Sequence, residues 1–257
     1  MKKRVVVISD LHCGHRVGLT PPAYQSMMRG KKYYKIQLEL WEKYIEFVEE
    51  LSPVDVLAVN ADCTDGRGDR SGSLELIHLD RKVQVNMAVD CINVWNAPKI
   101  IMTRGTPYHV GNVEEWEDMI AEKVGAVKIG DHEWFDVNGV VFDMKHHVGA
   151  SSIPHGEFTA IAKDRLWNYL WSEHEEQPRA DILIRSHVHY HAFCGNGDWL
   201  AMTTPALQGQ GSKFGARRCS RVIHWGLVYF DVFDDGSYHW EPRIVHAESQ
   251  KITPTKL

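Results

Sequence analysis

The sequence predicts a single α/β domain, and three observations carry that reading. Its 257 residues suffice for one large hydrophobic core but are few for two. Apolar strand-like runs alternate with segments of helical period up to residue 180, after which only strands follow. Three of the runs end in side chains that favour metals: 5–8 leads to Asp10 and His12, 54–59 to Asp62, and 182–184 to His187 and His189. A fourth run, 140–144, ends in His146 and His147, so acids and imidazoles remote in sequence can converge at one sheet edge.

After the first strand, 14–32 carries glycine, the Pro21-Pro22 pair and basic residues, and reads as a long irregular insertion beside the site. Ile36, Leu40, Tyr44, Phe47, Val48 and Leu51 recur at three and four with Pro53 as a stop, which predicts a core-facing helix over 34–51. Further helices are expected over 74–95, 114–124 and 159–171. Strands are expected over 99–103, 127–129, 134–137 and 140–144, with Asn138-Gly139 as the hairpin turn between the last two. Runs at 190–194, 199–203, 223–232 and 238–245 predict a terminal antiparallel sheet, and the polar tail after Ala247 is expected to fray. Trp167, Trp171, Trp225 and Trp240 fall in helix or strand patterns and are read as core packing rather than as platforms for base stacking.

Composition narrows the class. A hydrophobic fraction of 44% with 25% charged residues fits an ordinary globular chain and excludes a disordered one. The net charge of −5 argues against a surface devoted to nucleic acid, though a local basic patch could still hold a phosphate. With no signal-peptide pattern and no apolar run of bilayer length, a cytoplasmic chain without a membrane partner is expected. The five cysteines are scattered and form no Cys-x-x-Cys pair, so they read as reduced thiols, with Cys13 and Cys63 as packing residues beside the candidate ligands.

Taken in order, these blocks resemble the calcineurin-like metallophosphoesterases, a family marked by Asp-x-His, Gly-Asp-x-x-Asp, Gly-Asn-His, a lone His and Gly-His-x-His. Asp10-Leu11-His12 matches the first, Asn60-Ala61-Asp62-Cys63-Thr64-Asp65 approximates the second, His146-His147 supplies the fourth and Ser186-His187-Val188-His189 the fifth. Where Gly-Asn-His usually stands, the chain has Arg104-Gly105-Thr106-Pro107-Tyr108-His109, which is similar to the phage and prophage branch. The resemblance implies a four-layer αββα sandwich of two mixed β-sheets flanked by helices, and a metal-dependent phosphoesterase that uses a hydroxide activated by two metals.

Carried over residue by residue, the pattern implies one metal among Asp10, His12, Asp62 and His189, and a second among Asp62, Thr106, His146 or His147, and His187, with Asp62 as the bridge. Two dications roughly 3.5 to 4 Å apart need an anionic oxygen between them. Mixed oxygen and imidazole ligands favour manganese, with iron, zinc or magnesium as alternatives. The family's leaving-group acid is the His of Gly-Asn-His, matched here by Pro107; His109 is the candidate replacement and His15 the second. Asp65 is expected to orient a ligand. Arg67, Arg104, Arg217 and Arg218 are candidates to hold substrate phosphate oxygens, because guanidinium matches them bidentately. The implied substrate is a phosphate ester, with a phosphodiesterase or nuclease acting on DNA as the specific form. Ala61, Thr106 and Pro107 depart from the pattern and motivate the alternative, a non-catalytic metal-binding scaffold of the same fold. A metallo-β-lactamase-like or amidohydrolase-like reading fits less well, since His187-Val188-His189-Tyr190-His191 lacks the neighbours those need.

Overall fold

The computed structural model describes residues 1–257 apart from 26–29, 31–32, 69–71, 111–114, 152, 213–220, 252 and 257. Among the described residues eleven strands form two sheets. The first sheet contains β1 (Lys2–Ile8), β2 (Val56–Val59), β3 (Ile100–Thr103), β4 (Lys128–Gly130), β10 (Trp225–Phe233) and β11 (Tyr238–Val245), ordered β11-β10-β1-β2-β3-β4. Its strands β1 to β4 run parallel, while β10 returns antiparallel beside β1 and β11 beside β10. The second contains β5 (Glu133–Val137), β6 (Val140–Met144), β7 (Ile182–Arg185), β8 (Ala192–Gly195) and β9 (Leu200–Thr203), ordered β5-β6-β7-β9-β8 with β6, β7 and β9 parallel.

The period of two along each strand sorts side chains between layers. Val5, Val7 and Ile101 meet Phe142, Ile184 and Met202 in a core between the sheets. The alternate residues Val6, Ile8, Leu57 and Met102 face helices α2 (Tyr34–Leu51), α3 (Arg81–Asn93) and α5 (Trp116–Val124). On the far side, Leu183 and Ala201 pack on Ile161 of α6 (Glu157–Glu173). The layers therefore read helices, sheet, sheet, helix: a four-layer αββα sandwich. The short helices α1 (Pro22–Gln25) and α4 (Pro107–Val110) lie outside the expected elements.

Several expectations are corrected. The late strands do not form a sheet of their own: β8 and β9 extend the second sheet, whereas β10 and β11 cross to the first, because β10 completes the inter-sheet core with Val228 and Phe230. The helix expected over 74–95 begins only at Arg81, where the Asp80 carboxylate accepts the Lys82 N–H at 2.8 Å and caps the helix. The tail does not fray at once, since the Glu39 carboxylate accepts the N–H groups of Glu248 and Ser249 at 2.6 and 2.8 Å and holds a 3-10 turn over Glu248–Gln250. Within the expected insertion, Val17 and Leu19 are fully buried in the helix-side core, while 26–29 and 31–32 lie outside the described residues. Trp225 is buried and Trp240 packs against the inter-sheet core, but Trp167 and Trp171 stand exposed on α6. None of the helices among the described residues is long and apolar enough to cross a membrane.

Candidate metal centre

The loops leaving the C-terminal ends of β1, β2 and β7 carry unusual backbone. Asp10, His12, Ala61, Asp62, His187 and His189 all have positive φ, between 45° and 73°. A left-handed conformation costs a non-glycine residue roughly 1–2 kcal/mol. Its repetition here folds each loop back so that alternate side chains aim at one point above the sheet edge. The first two loops lock together by backbone bonds from Asp10 N–H to Ala61 O and from His12 N–H to Asp62 O, each 3.0 Å.

The side chains converge in two principal groups, Asp10–His12–His189 and Asp62–His146–His187, each with ligand atoms within 4.8 Å of one another. In the first, the Nε2 atoms of His12 and His189 lie 3.3 Å apart, and His189 Nε2 is 3.1 Å from Asp10 Oδ1. In the second, His146 Nε2 is 3.0 Å and His187 Nδ1 4.0 Å from Asp62 Oδ2. Asp10 Oδ1 spans the groups, standing 3.9 Å from His146 Nε2. Tautomers are set from behind: His146 Nδ1–H donates to Asn60 O at 2.7 Å and His12 Nδ1–H to Asp65 Oδ1 at 3.2 Å, so both Nε2 lone pairs face the centre. Asp10 Oδ1 and His146 Nε2 are buried and have no hydrogen-bond partner among the described residues. Buried, unpartnered oxygen and imidazole nitrogen atoms of this kind, turned toward one another, fit divalent cations that would take the place of the ring protons.

Beneath the ligands runs a buried chain of hydrogen bonds that sequence reasoning missed. Thr103 Oγ1–H donates to Asn60 Oδ1 at 2.6 Å, Asn60 Nδ2–H to Ser186 Oγ at 2.6 Å, and Thr204 Oγ1 lies 2.7 Å from Ser186 Oγ and 2.8 Å from Ser9 Oγ. These residues follow or end β1, β2, β3, β7 and β9, so one polar seam ties both sheets together at the site. Single hydroxyls and amides at strand ends look like ordinary turn residues, and only their shared location reveals the seam.

Protons stand in for cations when none is bound. Burial disfavours a charged His12, yet the nearby Asp10 and Asp65 carboxylates raise its pKa to about 10. Burial likewise opposes charge on His146, but the Asp62 carboxylate raises it to about 9. The reciprocal effect overcomes burial at Asp10 and Asp62, where neighbouring imidazoles hold both carboxyls well below the usual range. Glu117 was also missed by the sequence reading: burial and then the Asp62 charge push it up to about 8, while its Oε1 accepts the Cys63 N–H at 3.3 Å.

Gly105 sits against this cluster, where an added Cβ would lie 2.2 Å from Asp62 Oδ1, 2.9 Å from Asp62 N and 3.0 Å from Glu117 Oε1. Backbone cannot yield, so the carboxylate must. Gly105→Ala is expected to weaken metal binding by about ten- to a hundredfold, as read by titration calorimetry, with the fold retained by circular dichroism.

The remaining expected site residues fall as follows. Thr106 donates its N–H to Asp62 Oδ1 at 2.8 Å, and its hydroxyl is 3.4 Å from both Asp62 oxygens. His147 lies outside the groups, with its ring 4.9 Å from that of His187. His109, on α4, donates Nδ1–H to Asp65 O at 3.0 Å and places Nε2 3.8 Å from Asp62 Oδ2. It also forms a third group with His12 and Asp65. His15 is held back from the ligands: its Nδ1 accepts the Val17 N–H, and burial lowers its pKa to about 4, leaving it neutral. Arg104 is committed to carboxylates, 2.9 Å from Asp118 and 3.2 Å from Asp131, which corrects the expectation of a phosphate-binding guanidinium. Arg67 is exposed on the loop after Asp65, and Arg217, Arg218 and Cys219 lie outside the described residues. Cys13 and Cys63 are buried thiols outside the ligand groups.

No family model and no curated protein matches the chain. Among solved structures it is similar to wild-type Vps29 from Entamoeba histolytica complexed with zinc, at 14% identity and TM-score 0.46 over 94% of this chain and 98% of that one. It is similar to an archaeal phosphodiesterase, at 14% identity and TM-score 0.46 over 93% and 99%. A Streptococcus pneumoniae TIGR4 protein named as a predicted phosphoesterase follows at 12% identity and TM-score 0.40 over 95% and 99%. In its layered architecture and in the order of its ligand blocks, the chain is similar to the calcineurin-like metallophosphoesterases.

Proposed function

We propose that the chain is a calcineurin-like metallophosphoesterase that hydrolyses phosphate esters at a dinuclear centre, with a phosphodiester such as DNA as its substrate class. The observation that carries this is the meeting of Asp10–His12–His189 and Asp62–His146–His187 with orphaned acceptors turned inward. One cation would be held by Asp10, His12, Asp62 and His189, the other by Asp62, His146 and His187, with manganese favoured by the mixed donor set. Two such cations supply Lewis acidity and a nucleophilic hydroxide at neutral pH.

The chain's own residues do the rest. Asp65 orients His12 through Nδ1, and the Thr106 N–H fixes Asp62 Oδ1, leaving Oδ2 toward the centre. His109 is the proposed proton donor to the leaving oxygen: its Nδ1–H is engaged by Asp65 O, so Nε2 is the atom that carries the transferred proton. Burial lowers its pKa, which makes the protonated ring a stronger acid. The scaffold reading rests on Ala61, Thr106 and Pro107, the last standing where the family places that acid. The approach of His109 to Asp62 from two residues further on favours the enzyme instead.

The test is hydrolysis of bis-p-nitrophenyl phosphate and of end-labelled DNA with added manganese. His109→Ala is expected to lower turnover of DNA by about 10²- to 10⁴-fold but to affect the p-nitrophenyl ester far less, because p-nitrophenolate leaves without a proton. Metal binding with no turnover of either substrate would instead support the scaffold.

A further inference from the structure

The outer face of α6 is inverted relative to an ordinary surface helix. Its inward side presents Ile161, Arg165 and Asn168, while Leu166 is 57%, Trp167 53% and Leu170 41% exposed. A surface helix normally buries its apolar stripe. Among the described residues α6 alone covers the outside of the second sheet, where α2, α3 and α5 cover the first, and its outer apolar side chains are left uncovered.

At 100° per residue the outermost line of α6 runs Lys163, Leu166, Leu170, Glu173, with spacings of three, four and three. Trp167 and Trp171 flank this seam on one side, Phe158 and Tyr169 on the other. The seam is symmetric about the level of Asn168. Laid antiparallel on a copy of itself, it sets Leu166 against Leu170 and Lys163 against Glu173, and does so twice. Lys163 and Glu173 are both exposed and have no ion-pair partner among the described residues. Ten residues apart on one helix they stand roughly 15 Å apart and cannot pair within the chain.

We infer that α6 is the surface through which two copies of this chain associate, antiparallel about a two-fold axis. Four aromatic side chains about half exposed, each with roughly 150–250 Å² to bury, together with two leucines, put the face at roughly 500 Å². That exceeds scattered surface apolarity, and with its polar rim it approaches the roughly 600–800 Å² per partner of stable pairs. A two-fold contact requires self-complementarity, and the Lys163-to-Glu173 seam has it in both shape and sign.

Sedimentation equilibrium of the full chain tests this. The expected result is a concentration-dependent dimer, abolished by Leu166→Glu with Leu170→Glu. Lys163→Glu alone and Glu173→Lys alone are each expected to raise the dissociation constant about tenfold, since each sets like charges together twice. The double reversal, Lys163→Glu with Glu173→Lys, restores dimerisation. These residues are exposed, so the melting of each monomer serves as the folding control. A single chain at every concentration, a dimer indifferent to the leucine changes, or a double reversal no tighter than the single ones overturns the inference. A monomer that floats with phosphatidylcholine vesicles overturns it too, and assigns the face to a lipid surface.

Discussion

Asp62→Asn is expected to lower manganese-dependent hydrolysis of bis-p-nitrophenyl phosphate by about three to four orders of magnitude. The substitution keeps the shape of the side chain and leaves an oxygen to accept the Thr106 N–H, now 2.8 Å from Oδ1. It removes the negative charge at Oδ2, which lies 3.0 Å from His146 Nε2 and 3.8 Å from His109 Nε2. Two like-charged cations would then lose the anion between them, so bound metal is expected to fall from two per chain to one, as read by elemental analysis. Without Asp62 the main force raising His146 also disappears, and its pKa should return toward the ordinary range. Activity and stoichiometry that both survive the change would sink the dinuclear reading, because among the described residues Asp62 is the carboxylate that groups with the imidazoles of both His146 and His187.

Metal affinity is expected to climb steeply with pH between 7 and 9. With no cation bound, His12 and His146 carry protons up to about 10 and about 9, and a metal can use their Nε2 lone pairs only after displacing them. Each proton released makes affinity rise about tenfold per pH unit, so up to two protons give up to about a hundredfold for the pair of sites. Calorimetric titration in buffers of different ionisation heat counts them directly. The same groups set the stability of the metal-free protein. Their folded values exceed the ordinary 6.5, so the stabilisation is fully present below that pH and disappears as pH rises through about 9 and 10. Melting temperature in a chelator should therefore fall from pH 7 to 10, while the metal-saturated protein should hold. Binding that releases no protons at neutral pH would contradict the assigned environment of both rings.

Much of this site could be read from residue order. Asp10, His12, Asp62, His187 and His189 each follow a short apolar run, and a strand end is where a side chain of that kind can leave the core for a cleft. The helix expected over 34–51 coincides with α2 because its apolar repeat at three and four faces a single core. The Asn138-Gly139 hairpin is present with both residues at positive φ, as the turn chemistry demands. Local signals of this type need nothing from the rest of the chain.

Other features had no local signal. Arg104 lies beside the expected ligand stretch, but Asp118 and Asp131, fourteen and twenty-seven residues away, take its guanidinium. Ser9, Asn60, Thr103, Ser186 and Thr204 become one seam only when five strand ends meet. Trp167 and Trp171 are expected inward because they fall in a helical pattern, but α6 carries apolar residues on both sides, Ile161 inward and Leu166 and Leu170 outward. Its buried side also holds Arg165 and Asn168, so periodicity does not tell which side faces the sheet.

What residue order determined was the alternation of elements, the α/β class and most of the acids and imidazoles that gather in the candidate groups, since period, turn chemistry and donor type are properties of short segments. Tertiary structure alone decided that β10 and β11 join the first sheet, that His146 rather than His147 enters a ligand group, and that Glu117 lies against Asp62. Those outcomes depend on which distant residues share a buried volume, and neither the proximity of two charges nor its effect on their protons is written in either segment separately.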